Sequence, residues 1–258
     1  MLCNHLSLPF RFDQPMQITQ IYLTDNNHDP SGLLARCCQS AKRAFSFVPH
    51  RLYKNDDIEL LIRKNFDDRV LESYRKLIPY AYKSDLARLC ILFCHGGWYA
   101  DVGLYFPFPA PKLDDRINLV SFREEPRMTP SSSWSVANGL IYAKPRHPVV
   151  RRAIDLILSN VEVNYYGSTP LCPTGPNVWG RALCDFGVQK NTFYGDFVDL
   201  TPLSQIRNRA MILPNGQILA FYKPNNSPDI RRNLQSLGAQ GTNDFDDLWQ
   251  QRNIYRTS

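Results

Sequence analysis

A chain of 258 residues with 43% hydrophobic and 21% charged content has an ordinary globular composition, enough for one substantial core and short for two, so a single domain over 1–258 is expected. Its formal net charge of +6 suits an anionic ligand and leaves room for peripheral contact with an acidic membrane. Lys and Arg are too scattered, with no basic block beyond Arg151-Arg152 and Arg231-Arg232, to expect a nucleic-acid partner. Seven cysteines, an odd number without a Cys-x-x-Cys pair, argue against a disulfide framework and for a reducing, cytoplasmic setting. No run approaches the roughly 18 apolar residues a membrane span requires, so a soluble protein is expected.

Residues 1–15 read as an irregular leader. Met16 to Thr24 alternates and is β-rich, which predicts the first core strand, with 25–29 as the loop beyond its C-terminal end, where ligands of open α/β sheets gather. Asp29-Pro30 predicts a cap and a proline at the first helical position of a helix reaching about Phe45. Phe47 to Tyr53 reads as extended, Asn55 as the cap of a helix over Asp56 to Lys64, and Asp68 to Lys76 as a further helix. This alternation predicts parallel strands joined by crossover helices.

The central stretch, Ser84 to Gly103, reads as a capped helix feeding a short strand that ends on a carboxylate. Ser84 is the predicted N-cap and Asp85 a first-turn anion, with Gly96-Gly97 as the stop. In Trp98 to Gly103, period 2 puts Tyr99, Asp101 and Gly103 on one face and Trp98, Ala100 and Val102 on the other. Asp85 and Arg88, three apart, can hold each other, worth a few tenths of a kcal/mol on an exposed helix face, or share a polyhydroxyl ligand. Cys90 and Cys94, beside His95, read as small buried hydrophobes rather than metal ligands, since no second pair matches them.

Beyond it, Phe106 to Pro111 is an extended exit, because three prolines remove donors and fix φ. Asn118 to Phe122 is a predicted strand and 123–133 a loop able to reach over a site. Trp134 to Ala143 is strand-like but interrupted at Asn138-Gly139, a strong turn dipeptide. Pro148 to Ser159 has amphipathic spacing, Thr174-Gly175-Pro176 precedes a helix over Val178 to Phe186, and Ala210 to Tyr222 reads as a hairpin turning at Asn215-Gly216. The polar tail from Pro224 would be disordered by composition unless it folds back.

Ser-Asp-x-x-Arg, a hydrophobic helix, then Gly-Gly-x-Tyr-x-Asp resembles, in order and spacing, the sugar-binding region of the DXD-type glycosyltransferases. That group includes the fungal initiating mannosyltransferases and the glucosylating domains of large clostridial toxins. The resemblance implies a GT-A-type (Rossmann-like) α/β fold with a mixed, mainly parallel sheet flanked by helices. It implies a nucleotide-sugar donor, a UDP-sugar first, a divalent metal (Mn²⁺ or Mg²⁺) on the diphosphate, retention of configuration, and a saccharide, lipid-linked glycan or protein as acceptor.

By position, the resemblance makes Ser84, Asp85 and Arg88 contacts of the donor sugar or phosphates, places Tyr99 in the same pocket and gives Asp101 the metal. It makes Tyr22 the aromatic that stacks on the base, Asn138 a sugar contact, Trp249 a diphosphate contact and Asp244 a second acidic group for the metal, with Asp246 and Asp247 as rivals. Gly103 stands where the family has its second carboxylate. The alternative is therefore a protein that binds the nucleotide sugar without turning it over.

Overall fold

The computed structural model describes residues 16–124, 136–187, 189–200, 209–222 and 243–257. The expectations for 1–15, for most of the 123–133 loop and for 224–242 lie outside them. The strands are β1 (Ile18–Ile21), β2 (His50–Tyr53), β3 (Gly97–Ala100), β4 (Leu104–Tyr105), β5 (Leu119–Glu124), β6 (Val136–Ala143), β7 (Thr192–Asp199), β8 (Arg209–Ile212) and β9 (Ile218–Tyr222). The helices are α1 (Gly32–Ala44), α2 (Asn55–Asn65), α3 (Asp68–Lys76), α4 (Tyr80–His95), α5 (Pro148–Glu162), α6 (Pro176–Phe186) and α7 (Phe245–Gln250).

The strands form one mixed sheet in the order β2-β1-β3-β6-β5-β7-β8-β9-β4. Pairing is parallel for β1 with β2, β1 with β3, and β5 with β7, and antiparallel elsewhere. The expected mixed α/β fold is therefore present, with its parallel crossovers concentrated where the predicted strand–helix alternation runs. Two apolar layers cover the sheet. Trp98, Ala100, Leu140 and Tyr142 face the α1 side, whereas Tyr99, Ile141 and Ala143 face the side packed by α2 to α6. The period-2 assignment of the central strand thus sorts its residues onto the correct sides.

Within α4 every residue from Leu86 to Leu92 is buried, Arg88 among them. The helix stops at Gly96 (φ 64°) and Gly97 (φ 89°), conformations that L side chains resist. A Cβ on Gly97 would lie 2.3 Å from the Gln17 carbonyl oxygen, so the second glycine lets β3 settle against the start of β1.

Several boundaries differ from the sequence reading. Helix α4 begins at Tyr80 with Pro79 at its N-cap, so Ser84 is not a cap and Asp85 lies in the second turn. The free Tyr80 N–H is satisfied by the Asn243 side chain at 2.7 Å, a cap supplied from the tail. Helix α1 starts after Ser31 rather than at Pro30. Strand β3 ends at Ala100, and the Leu104 N–H donates to the Asp101 carbonyl at 3.1 Å, so Gly103 lies in a tight turn instead of a strand. Strand β6 continues through Asn138-Gly139, but its register against β5 slips there, from Val120 opposite Tyr142 to Phe122 opposite Ala137, so the dipeptide makes an irregularity within the strand rather than a turn. Strand β7 has no counterpart among the predicted elements.

The described part of the tail lies against the domain. Leu248, Ile254 and Tyr255 are buried, Ile78 N–H donates to the Ile254 carbonyl at 2.9 Å, and Arg256 N–H donates to that of Lys76 at 2.8 Å.

Candidate functional site

The second turn of α4, the tip of β3 and the middle of β6 meet around Arg88. Its Nη2 lies 3.0 Å from Asp85 Oδ1 and its Nη1 3.4 Å from Asp101 Oδ1. Nη1 also donates to the Asn138 carbonyl at 2.6 Å and Nε to the Ser84 carbonyl at 3.2 Å. The guanidinium stacks 4.6 Å from the centroid of the Tyr99 ring. Arg88 is 5% exposed and Asp85 8%, so this is a buried ion pair rather than the exposed pair of i,i+3 spacing.

Such burial is tolerated only when the remaining lone pairs and protons are also satisfied. They are: Asp85 Oδ1 accepts from the Asn138 amide at 2.8 Å and Oδ2 from the Thr174 hydroxyl at 2.7 Å. Burial raises the Asp85 carboxyl above its ordinary range, opposed by Arg88 and by these hydrogen bonds. Burial works against the charged guanidinium too, but Tyr99, Asp101 and Asp85 outweigh it and hold Arg88 protonated.

Asp101 is more open, with its side chain 25% exposed. Its Oδ1 accepts from the Tyr99 hydroxyl at 2.7 Å, and its backbone is held by Gln20 Nε2 on its carbonyl at 3.3 Å and by its own N–H on the Gly139 carbonyl at 2.8 Å. Its Oδ2 has no protein donor among the described residues. A Cβ on Gly139 would sit 2.6 Å from that oxygen, so the glycine of the Asn-Gly dipeptide keeps the space above the carboxylate clear instead of making a turn. Two carboxylates and one guanidinium leave a formal charge of −1, which disfavours a bare diphosphate and favours a cation at Oδ2.

The sequence profile of the family described as capsular polysaccharide synthesis protein matches residues 31–167, more than half of the chain and all of the segment carrying Asp85, Arg88, Tyr99, Asp101 and Asn138. The chain belongs to this family. It is also similar to the "Uncharacterized glycosyltransferase L373" of Acanthamoeba polyphaga mimivirus, with 31% identity over 147 residues, 57% of this chain and 55% of the relative. The chain thus spans about half the length of that curated relative. Among solved structures, the "PaToxG Glycosyltransferase" matches with a TM-score of 0.53 at 17% identity, over 67% of this chain and 70% of that one, a likeness of fold.

The other sequence candidates of this capsular polysaccharide synthesis family member lie at varying distance from the cluster. Ser84 is half-buried, with its carbonyl on Arg88. Tyr22 is 5% exposed and packs with Leu34, Leu52 and Val102, the residue after Asp101. Its hydroxyl is buried without a hydrogen-bond partner among the described residues.

Trp249 donates its indole N–H to the Tyr166 carbonyl at 2.8 Å, and Asp244 caps α7 by accepting from the Asp246 and Asp247 N–H groups. Their described partners are in the tail and the α5–α6 loop, not in the cluster. No group of three or more His, Cys, Asp or Glu side chains able to hold a metal occurs among the described residues, and no helix among them is long and apolar enough to cross a membrane. Cys90 is fully buried, and burial pushes the Cys94 thiol up to about 12, as for small hydrophobes.

Thr174, Gly139 and Gln20 are the site residues that sequence reasoning did not assign. Thr174 reaches Asp85 across 89 positions, a separation no local pattern encodes. Gly139 had a signal, its dipeptide, which points to a turn when read locally.

Proposed function

We propose that this chain is a glycosyltransferase that takes its sugar from a nucleotide diphosphate donor, a UDP-sugar first, bound over Asp101. The observation that carries the reading is the free Asp101 Oδ2, held in the open beside Gly139 on top of a saturated Asp85–Arg88 pair. The family and the name of the viral relative support the same activity, as does the sequence resemblance to DXD-type enzymes.

Breaking the anomeric C–O bond places negative charge on the departing diphosphate and positive charge on the sugar ring. Arg88 supplies fixed positive charge beneath the site, and because its N–H groups are largely committed it acts by holding Asp101 and Asp85 in place. The half-buried Ser84 hydroxyl and the Asn138 side-chain oxygen remain available to sugar hydroxyls. Asp101, with one free carboxylate oxygen, fits the single-carboxylate mode in which Mg²⁺ or Mn²⁺ is completed by waters and substrate phosphates, and a metal bound there would neutralise the leaving group as a Lewis acid. Both Asp85 oxygens are occupied and the free Asp101 oxygen is the one assigned to the metal, so the cluster leaves no carboxylate for a general base, which favours retention.

A second reading, donor binding without turnover, is favoured by Gly103, buried in the Asp101–Leu104 turn where a second ligand would otherwise enter. A thermal-shift series of nucleotide sugars with and without Mn²⁺, followed by a transfer assay, decides. A donor that binds the native state raises Tm by mass action. The expected result is an Mn²⁺-dependent shift with a UDP-sugar, and in a folded Asp101→Asn protein no Mn²⁺-dependent shift and no transfer. A shift without transfer or hydrolysis under any metal supports the second reading, and full activity in Asp101→Asn rejects the site.

A further inference from the structure

Helix α1 lies on the side of the sheet away from α4. Its inward residues Leu34, Cys37, Cys38, Ala41 and Ala44 are buried, and its outward ridge, Leu33, Arg36, Gln39 and Arg43 at helical spacing, is exposed together with Lys42. Beside the last turn runs the proline-rich segment from Phe106, tied to the helix by the Phe106 N–H on the Ser40 hydroxyl at 3.0 Å and by the Ala110 N–H on the Ala44 carbonyl at 2.9 Å. Phe108, between those two ties, is 58% exposed. Phe47, just past the helix end, is exposed as well, and the Lys112 ammonium lies 5.7 Å from its ring centroid. Two phenylalanines and three cations therefore share one end of this face.

The charge here is uncompensated. From Pro30 to Tyr53 the chain has four Lys and Arg and no Asp or Glu. Arg51 reaches Asp57 at 3.8 Å, but no carboxylate among the described residues lies within ion-pair distance of Arg36, Lys42, Arg43 or Lys112. Of the acids that follow Lys112, Asp114 is held by Arg116 at 2.8 Å and Asp115 has Lys144 on its carbonyl. The opposite layer is different: Arg63, Arg69, Arg75, Arg151 and Arg152 each have a carboxylate within 3.5 Å.

We propose that this face docks on an anionic lipid bilayer, with Phe47 and Phe108 entering the headgroup region and Lys42, Arg43 and Lys112 against the lipid phosphates. A bilayer uses both halves of the patch, since binding there combines buried apolar area with attraction to anionic lipid. Nucleic acid uses one. Its phosphates would take the cations, but an exposed helix ridge offers no groove to track a strand and leaves the phenylalanines in water. A second copy of the chain fits worse, because a two-fold contact through this patch sets cations against cations. The docked face lies across the sheet from α4, so it leaves Asp101 uncovered.

Co-sedimentation of the full chain with lipid vesicles, in the absence of donor and metal, tests this independently of transfer at Asp101. Partition onto vesicles of equimolar phosphatidylcholine and phosphatidylglycerol is expected to exceed that onto phosphatidylcholine alone at least about tenfold, and to fall as salt is raised. Arg43→Gln combined with Lys112→Gln should lower it at least about tenfold, and Phe108→Ser at least about threefold. The control, Arg63→Gln combined with Arg69→Gln, removes the same charge from the opposite layer and should change partition less than about twofold. All five positions are exposed, so loss of folding does not confuse the result. Equal partition onto the two kinds of vesicle, or an equal loss in the control pair, would overturn the proposal. Binding to heparin as tight as to vesicles, with Phe108→Ser unchanged, would overturn it in favour of a soluble polyanion.

Discussion

On one face of α4, Arg88 is enclosed by two carboxylates, two carbonyls and an aromatic ring, whereas on the other Lys83, equally deep, reaches one carbonyl and one ring. A planar guanidinium with five donors can bridge several fixed acceptors at once, while an ammonium on a flexible stem can be left underused. The first arrangement is finished without a ligand, apart from one outward carboxylate oxygen. The second leaves N–H donors unplaced.

The sharpest way to break the comparison is Arg88→Ala, which strands buried Asp85 without a countercharge. A loss of about 3–5 kcal/mol is expected, read from the midpoint of urea unfolding, and Arg88→Lys should recover only part of it, because a point charge cannot span Asp85, Asp101 and the Asn138 carbonyl together. A loss below about 1 kcal/mol would show that the pair does not hold the cluster.

Lys83 should behave in the opposite sense. Its folded pKa, about 8, is below the unfolded value near 10.5, so the folded state prefers the neutral amine. The associated stability is present above about pH 10.5, falls as the pH drops towards 8, and is gone below that, a change of about 2–4 kcal/mol. Lys83→Met should therefore gain on the wild type as the pH falls through this window and keep a constant advantage beneath it. Parallel stability curves for the two proteins between pH 11 and 7 would contradict the description of Lys83.

The smallest effect concerns the start of the helix that carries both faces. Asn243→Ala removes the side chain capping Tyr80 and should cost about 1 kcal/mol, with faster amide exchange confined to the first turn of α4. Unchanged exchange there would mean that the tail does not fix that boundary.

Much of the scaffold around Asp101 is legible in the chain. Gly96-Gly97 marks the end of α4, the alternation from Trp98 to Asp101 sends Tyr99 and Asp101 to the same side, and i,i+3 spacing pairs Asp85 with Arg88. Less was legible wherever the deciding partner is remote. Strand β7 is half-buried and pairs in parallel with β5 about seventy residues earlier. Asn138-Gly139 has the chemistry of a turn but lies within a central strand, where the register against β5 slips and the chain is offset without reversing.

What the sequence by itself determined is the local grammar: where apolar periodicity makes helices and strands, where paired glycines permit a positive φ, and which side chains share a face. The tertiary structure alone decided the electrostatics. It buried an ion pair that spacing would leave on a surface, placed Thr174 and Asn138 on Asp85, started α4 five residues early with a cap from the tail, and set Arg256 against Lys83. Charges and hydrogen-bonding groups take their energies from what surrounds them in space, and those surroundings come from segments tens to more than a hundred positions apart.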